Sequence, residues 1–153
     1  LNSYGLQSLA KGEPGYLPVY KGNPHDRDMI YHQGITWTWL LGLYYNSLKN
    51  ILKSAKTKTK KLELEVKLAE FKESVLATFE KEVYNRGCVG SIAEIYDSTK
   101  PHEPKGAFSQ AWSVAEVLRI LMWNTYFRKR VIKQWKILLL NLLDINEYTK
   151  EGS

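Results

Sequence analysis

Three stretches of this chain repeat apolar residues every three or four positions, and that period commits most of the molecule to helix. Over residues 36 to 54 the repeat runs through Trp37, Leu40, Leu41, Tyr44, Leu48, Ile51 and Leu52, with Thr36 placed as an N-cap. The other side carries Trp39, Leu43 and Tyr45, so this helix is apolar nearly all round and is expected to be buried between other elements. Over residues 62 to 84 a single stripe of Leu64, Leu68, Phe71, Val75 and Phe79 alternates with Lys and Glu, which predicts an amphipathic, outward-facing helix. Asn85, Arg86 and Gly87 end it, with glycine where a helix C-terminus favours it. A third helix is predicted over residues 109 to 127, through Ala111, Val114, Ala115, Leu118, Leu121 and Met122. The pattern returns over residues 131 to 143 through Val131, Trp135, Leu138, Leu139 and Leu142, either continuing the third helix or forming a fourth. No segment shows a convincing period of two, so the predicted fold class is all-α, with three to four long helices.

Two segments lie outside this pattern. Residues 1 to 34 hold three of the five prolines and five of the ten glycines, which interrupt regular structure. They also hold Tyr4, Leu6, Leu9, Tyr16, Leu17, Val19 and Tyr20, more apolar surface than a disordered tail carries, so an ordered loop region against the helices is expected. Residues 87 to 108 read as a long loop fixed by Pro101 and Pro104, with Gly106 before the next helix. Loops of that length in compact domains are usually functional or disordered, and the apolar Val89, Ile92, Ile95, Tyr96 and Phe108 argue for order here.

Bulk properties exclude little but order the options. At 153 residues the chain has the length of one domain. Its formal net charge of +6 admits a stand-alone basic helical protein that binds nucleic acid or an acidic partner. The lysines, however, gather at positions 49, 53, 56, 58, 60 and 61, around a helix–helix junction where charge keeps a turn wet. Cys88 is the only cysteine, so no intramolecular disulfide forms and a reducing, cytoplasmic setting is expected. No signal peptide opens the chain, and its longest apolar run is too short to cross a bilayer. It opens on Leu1 rather than Met, in mid-domain sequence, and is expected to be a piece of a longer protein. His25, His32 and His102 lack metal-ligand spacing, and no phosphate-binding, dinucleotide-binding or serine-hydrolase motif occurs, so neither metal nor cofactor is expected.

Glu94 is the residue with most chemistry around it. It sits in the 87 to 108 loop between Gly-containing sequence and Tyr96-Asp97, ahead of Gln110 and Trp112. A carboxylate in a structured loop beside amide and indole groups suits cleavage of a glycosidic bond, which needs a pair of carboxylates. Glu116, inside the third helix, suits a structural hydrogen bond better, Asp97 suits holding the loop through a turn, and Glu103 reads as exposed.

Four stretches together carry a family resemblance. YGLQSL at 4 to 9 is similar to Y-G-L-R-S-L, and RDMIYHQGITWTWLLG at 27 to 42 is similar to R-D-x-x-Y-H-N-G-T-V-W-P-W-L-x-G. GCVGSIAEIYD at 87 to 97 is similar to G-x-x-G-x-I-x-E-I-F-D, and PHEPKGAFSQAWSVAEVLR at 101 to 119 to P-H-x-P-x-G-x-x-A-Q-A-W-S-V-A-E-x-L-R. In this order they resemble the C-terminal part of glycogen debranching enzymes of the amylo-α-1,6-glucosidase type. Gln33 and Thr38 stand where the family tends to have Asn and Pro. The resemblance covers residues 1 to 125 and leaves 126 to 153 as an unmatched helical tail of the same single domain.

The resemblance implies a partial (α/α)6 toroid, a six-hairpin glycoside hydrolase that removes α-1,6-linked glucose stubs from a branched α-glucan or limit dextrin by inversion. In such toroids the general base lies in the loop before the last helix, the position of Glu94, and the general acid lies upstream, outside this chain. The chain alone is therefore expected to be inactive. Its missing partner is the N-terminal part of the toroid, and the helix faces left open are expected to drive self-association. Tyr31, His32, Gln33, Trp37, Gln110 and Trp112 are the implied substrate-binding residues, and the hydroxyls of Tyr31 and Tyr96 with the Gln110 amide are the expected donors to Glu94. His32 has two readings, a sugar contact or a buried structural bond. Trp37 and Trp112 have two as well, stacking on glucose or filling the core. A glucoamylase- or trehalase-like toroid fits the YHQG and SIAEIYD stretches less well.

Overall fold

A computed structural model of the chain describes residues 1 to 122. Residues Leu1–Ile120 form one compact unit, and the helical reading beyond residue 122 lies outside the described residues.

The helical periodicity is realised, with shifted ends. Helices α1 (Pro24–Ile30), α2 (Leu40–Ser54), α3 (Lys58–Asn85) and α4 (Ala111–Met122) occupy the described chain. In α2 the repeat buries Leu41, Tyr45 and Leu48, while Leu43 and Ile51 remain about half exposed at 52% and 50%. The expectation of a helix buried all round is thus corrected: Tyr45 of the second apolar side turns in and Leu43 turns out. α3 starts four residues earlier than its stripe predicts, because Thr57 accepts a hydrogen bond from the Lys60 amide at 3.2 Å and nucleates the first turn. At 28 residues it is about 42 Å long at 1.5 Å per residue. Leu64, Val75 and Phe79 bury its stripe, and Phe71 meets Tyr44 of α2 at a ring separation of 5.1 Å. Three residues join α2 to α3, so the two pack as a helical hairpin. The lysine-rich stretch forms the exposed corner of this hairpin. α3 ends at Asn85, where Arg86 turns to an extended conformation, and Gly87 follows at φ +56°.

The all-α expectation is corrected by a small antiparallel sheet. Strands β1 (Leu6–Gln7), β2 (Thr36–Trp37), β3 (Ile95–Tyr96) and β4 (Pro104–Lys105) line up in that order, pairing Leu6 with Trp37, Trp37 with Ile95, and Ile95 with Lys105. Each strand is two residues long, too short to show alternation in a sequence, and the β1–β2 and β2–β3 pairs join residues about thirty and about sixty positions apart along the chain. Thr36 is therefore a strand residue and not an N-cap. Its hydroxyl accepts from the Asn2 amide at 2.9 Å and bonds Ser98 at 2.7 Å, and α2 begins after Trp39 with no side-chain cap. Thr38, where the family tends to have Pro, donates to the Tyr4 carbonyl at 2.9 Å.

The sheet divides the core in two. Side chains alternate along each strand, so Trp37 and Ile95 share one face and Thr36 and Tyr96 the other. On the first face Ile30, Ile35, Trp37 and Ile95 form a buried cluster with Tyr20, Tyr31, Trp39 and Leu40 against it. On the second, Tyr96 packs on Tyr4 at 4.6 Å and on Phe79 of α3 at 6.5 Å. The N-terminal region is ordered as expected, but it contributes β1 and α1 rather than loop alone. Helix α1 is locked by a capping box in which the Asn23 side chain accepts from the Asp26 amide and the Asp26 carboxylate from the Asn23 amide.

Candidate functional site

Glu94 lies in a bend immediately before β3, and two elements converge on it. The first is the turn after β4. The Glu94 amide donates to the Ala107 carbonyl at 2.9 Å, and the Ala107 amide donates back to Glu94 Oε2 at 3.1 Å. This two-point clasp lies just beyond the β3–β4 ladder, one residue out of its register, and uses the carboxylate as part of it. Gly106 makes the approach possible. Its φ is +69°, and a Cβ there would overlap Glu94 Oε2.

The second element is α1. The capped helix ends at Ile30 and places Tyr31 at its C-terminus, where its hydroxyl donates to Glu94 Oε1 at 2.6 Å. The Gln110 amide, just ahead of α4, donates to the same oxygen at 3.2 Å. The carboxylate thus receives a phenol, a side-chain amide and a backbone amide, all donors, the partner set an ionised carboxylate accepts. Burial, and then the bond to Glu94, push the Tyr31 phenol well above its ordinary range. The hydroxyl therefore stays protonated and keeps donating at any pH near neutrality.

The half-buried Glu94 borders an open cleft of about 730 Å³. Tyr20, Arg27, Asp28, Tyr31 and Lys105 line it as well. Arg27 and Asp28 are exposed on α1, and sequence reasoning did not select them, although they open the RDMIYHQG stretch. Their spacing gives the signal: Arg27, Asp28 and Tyr31 fall within one helical turn, so they reach one side together.

Of the expected site residues, Tyr31 and Gln110 are brought to Glu94 directly. The Tyr96 hydroxyl is not; it faces Glu82 across the sheet, and the Ala107 amide supplies the third donor. Trp37 is 6% exposed and belongs to the core, its indole nitrogen donating to the Tyr31 carbonyl at 3.3 Å. It braces the Tyr31 ring edge-on at 4.7 Å. His32 is exposed and stacked on Trp37 at 5.3 Å, which rules out its reading as a buried structural residue. Trp112 is 45% exposed and stacks on Trp39 at 5.6 Å, leaving an outward aromatic surface. The Gln33 main chain forms a turn, its backbone N–H donating to the Ile30 carbonyl at 2.8 Å and its backbone carbonyl accepting from the Leu17 N–H at 2.6 Å.

The competing acids have structural partners. Glu116 pairs with Arg119, which also donates to Asn46 of α2 at 3.0 Å. Buried Asp97 accepts from the Tyr20 amide at 2.7 Å and so ties the N-terminal region to β3, a longer-range job than a local turn. Glu103 is exposed, as expected. Among the described residues there is no cluster of three or more His, Cys, Asp or Glu that could hold a metal, and no helix long and apolar enough to cross a membrane.

A family model described as amylo-alpha-1,6-glucosidase matches residues 1–119. Comparison with curated proteins and with solved structures finds no match.

Proposed function

Because this chain belongs to the amylo-α-1,6-glucosidase family, we propose that it forms the C-terminal portion of a glucosidase that hydrolyses α-1,6-linked glucose stubs of a branched α-glucan. Glu94 acts as general base. The observation that carries this is its carboxylate, fixed by three donors at the edge of a sugar-sized cleft.

In an inverting reaction the base takes a proton from a water poised opposite the leaving group. That water becomes the new hydroxyl at the anomeric carbon as the glycosidic bond breaks, and the leaving oxygen takes a proton from a separate acid. Glu94 has a fixed orientation, through Tyr31, Gln110 and Ala107, and an open side toward the cleft where such a water sits. Arg27 and Asp28, which line the cleft, bind sugar hydroxyls from α1, and the exposed rings of His32 and Trp112, outside that lining, offer flat faces for C–H surfaces of a longer glucan. The general acid comes from outside these 153 residues, and the helices belong to an (α/α)6 toroid that such a segment completes. The exposed apolar side chains Leu43, Ile51 and Leu118 are in keeping with helix faces that meet further helices. A cytoplasmic location, where α-glucan is stored, accords with the single half-buried Cys88.

Titrating the chain with 1-deoxynojirimycin while following its amide and side-chain NMR signals tests the site. The expected result is shifts confined to Tyr31, Glu94, Gln110 and their cleft neighbours, with no glucose released from a branched dextrin. Glucose release by the chain alone would sink the claim that the acid lies elsewhere. No shift at these residues, with strongly salt-dependent binding of an oligonucleotide, would favour the basic interaction protein instead.

A further inference from the structure

We infer that Arg86 is a positioning residue for Glu94, acting through the β4 strand rather than by contact. Arg86 follows the last residue of α3 in an extended conformation. Its guanidinium donates to two separate parts of the chain. Nη1 donates to the Tyr4 hydroxyl at 2.9 Å and to the Pro101 carbonyl at 3.3 Å, and Nη2 donates to the His102 carbonyl at 3.1 Å. The carboxylates of Glu82 and Glu103 stand 3.6 and 3.7 Å away as counter-charges, and the Tyr4 ring lies under the guanidinium at 5.9 Å. Only a planar fork with several fixed N–H groups holds two carbonyls and a phenol at once; a lysine ammonium supplies the charge without that geometry.

What Arg86 holds is the turn from which β4 starts. His102 adopts φ 61°, a left-handed conformation that a side chain enters only when its surroundings hold it there. The Arg86 fork on its carbonyl and a 2.9 Å bond between its Nδ1 and the Asp97 carbonyl do so. From this anchor the β3–β4 ladder runs toward the site, and one further bond, a residue out of its register, completes the path. Asp97 donates to Glu103 at 3.0 Å, Tyr96 pairs with Pro104, Ile95 pairs with Lys105, and Glu94 donates to Ala107 at 2.9 Å. Displacing the turn displaces Ala107, whose amide clasps the Glu94 carboxylate. The sheet thus transmits a constraint from the end of α3 to the carboxylate.

The functional meaning of this role rests on Glu94 being the base, but its test does not involve sugar. Amide hydrogen exchange of the chain is compared with the Arg86→Lys and Arg86→Met variants, together with the 13C carboxyl signal of Glu94. The expected result is exchange about tenfold or more faster at Glu94, Asp97 and Ala107, while Leu41 and Tyr45 in α2 exchange as before. The Glu94 carboxyl signal shifts in both variants and that of Glu63, far along α3, does not. If Arg86→Met does not fold, Arg86→Lys, which keeps a cation beside buried Glu82, decides the matter. Unchanged exchange at Glu94 and Ala107, or equal acceleration throughout the chain, would overturn the inference. Failure of Glu94 as a base would leave these readouts untouched.

Discussion

Gly106→Ala puts a methyl group where the folded chain has no room for one, and the size of the effect follows from the geometry. Two terms add. At φ +69° an L side chain costs roughly 1–2 kcal/mol. The new Cβ would also overlap Glu94 Oε2 and lie 3.0 Å from Ile95 Cγ1. Relief requires the carboxylate to leave the Ala107 amide, a charged hydrogen bond whose half-exposed setting reduces its loss to about 1 kcal/mol. The total is roughly 2–3 kcal/mol, or a fall in Tm on the order of 10 °C for a unit of this size. Gly90→Ala is the control. Its φ is +87° and nothing lies within 4 Å of its Cβ, so only the backbone term applies. Thermal unfolding by circular dichroism compares the two, and exchange at the Ala107 amide shows whether the clasp opened. Equal losses in both variants, with the Ala107 amide still protected, would refute the reasoning that Glu94 fills the space over Gly106.

Other substitutions probe separate links. Tyr31→Phe removes the shortest donor to Glu94 and should lower stability by about 1 kcal/mol in denaturant titration while leaving the Trp37 ring contact in place. Glu82 is 2% exposed on α3, and its burial, only partly offset by Arg86, raises its pKa above the ordinary 4.5. A raised folded pKa means the stability linked to its proton is present below 4.5 and is lost as pH rises through the folded value. Glu82→Gln should therefore raise Tm at pH about 8 by a few degrees, with the gain shrinking as pH falls toward 4.5. Light scattering at high concentration should show self-association through the exposed apolar side chains of α2 and α4, whereas a monodisperse monomer would count against it.

The sequence and the structure agree where the signal is local. The α3 stripe from Leu64 to Phe79 was legible because helical periodicity acts within a few residues. The sheet was not, because two-residue strands such as Thr36–Trp37 exist only through partners tens of residues away. Thr36 illustrates the cost of reading locally: it looks like an N-cap, yet its hydroxyl is committed to Asn2 and Ser98. At the site, Glu94, Tyr31 and Gln110 were found by residue type and motif, and their convergence agrees with that reading. Tyr96 was misassigned because its ring packs toward Tyr4 and Phe79, whereas Glu94 sits in the bend just outside β3 and turns to Tyr31 on the other side of the sheet. The Ala107 amide was invisible to side-chain reasoning, since a backbone donor carries no residue-type signal.

The central claim, that Glu94 is the general base, is tested most directly by Glu94→Gly in the catalytically complete glucosidase. Glucose release from an α-1,6-branched dextrin is followed with and without added azide. The account predicts a loss of at least about 10²-fold in kcat for glucose release, with azide restoring cleavage of the α-1,6 bond by attacking the anomeric carbon in place of water, so that the rescued product is β-glucosyl azide and not glucose. Activity retained within about tenfold of the parent would contradict it, since a general base contributes more than that.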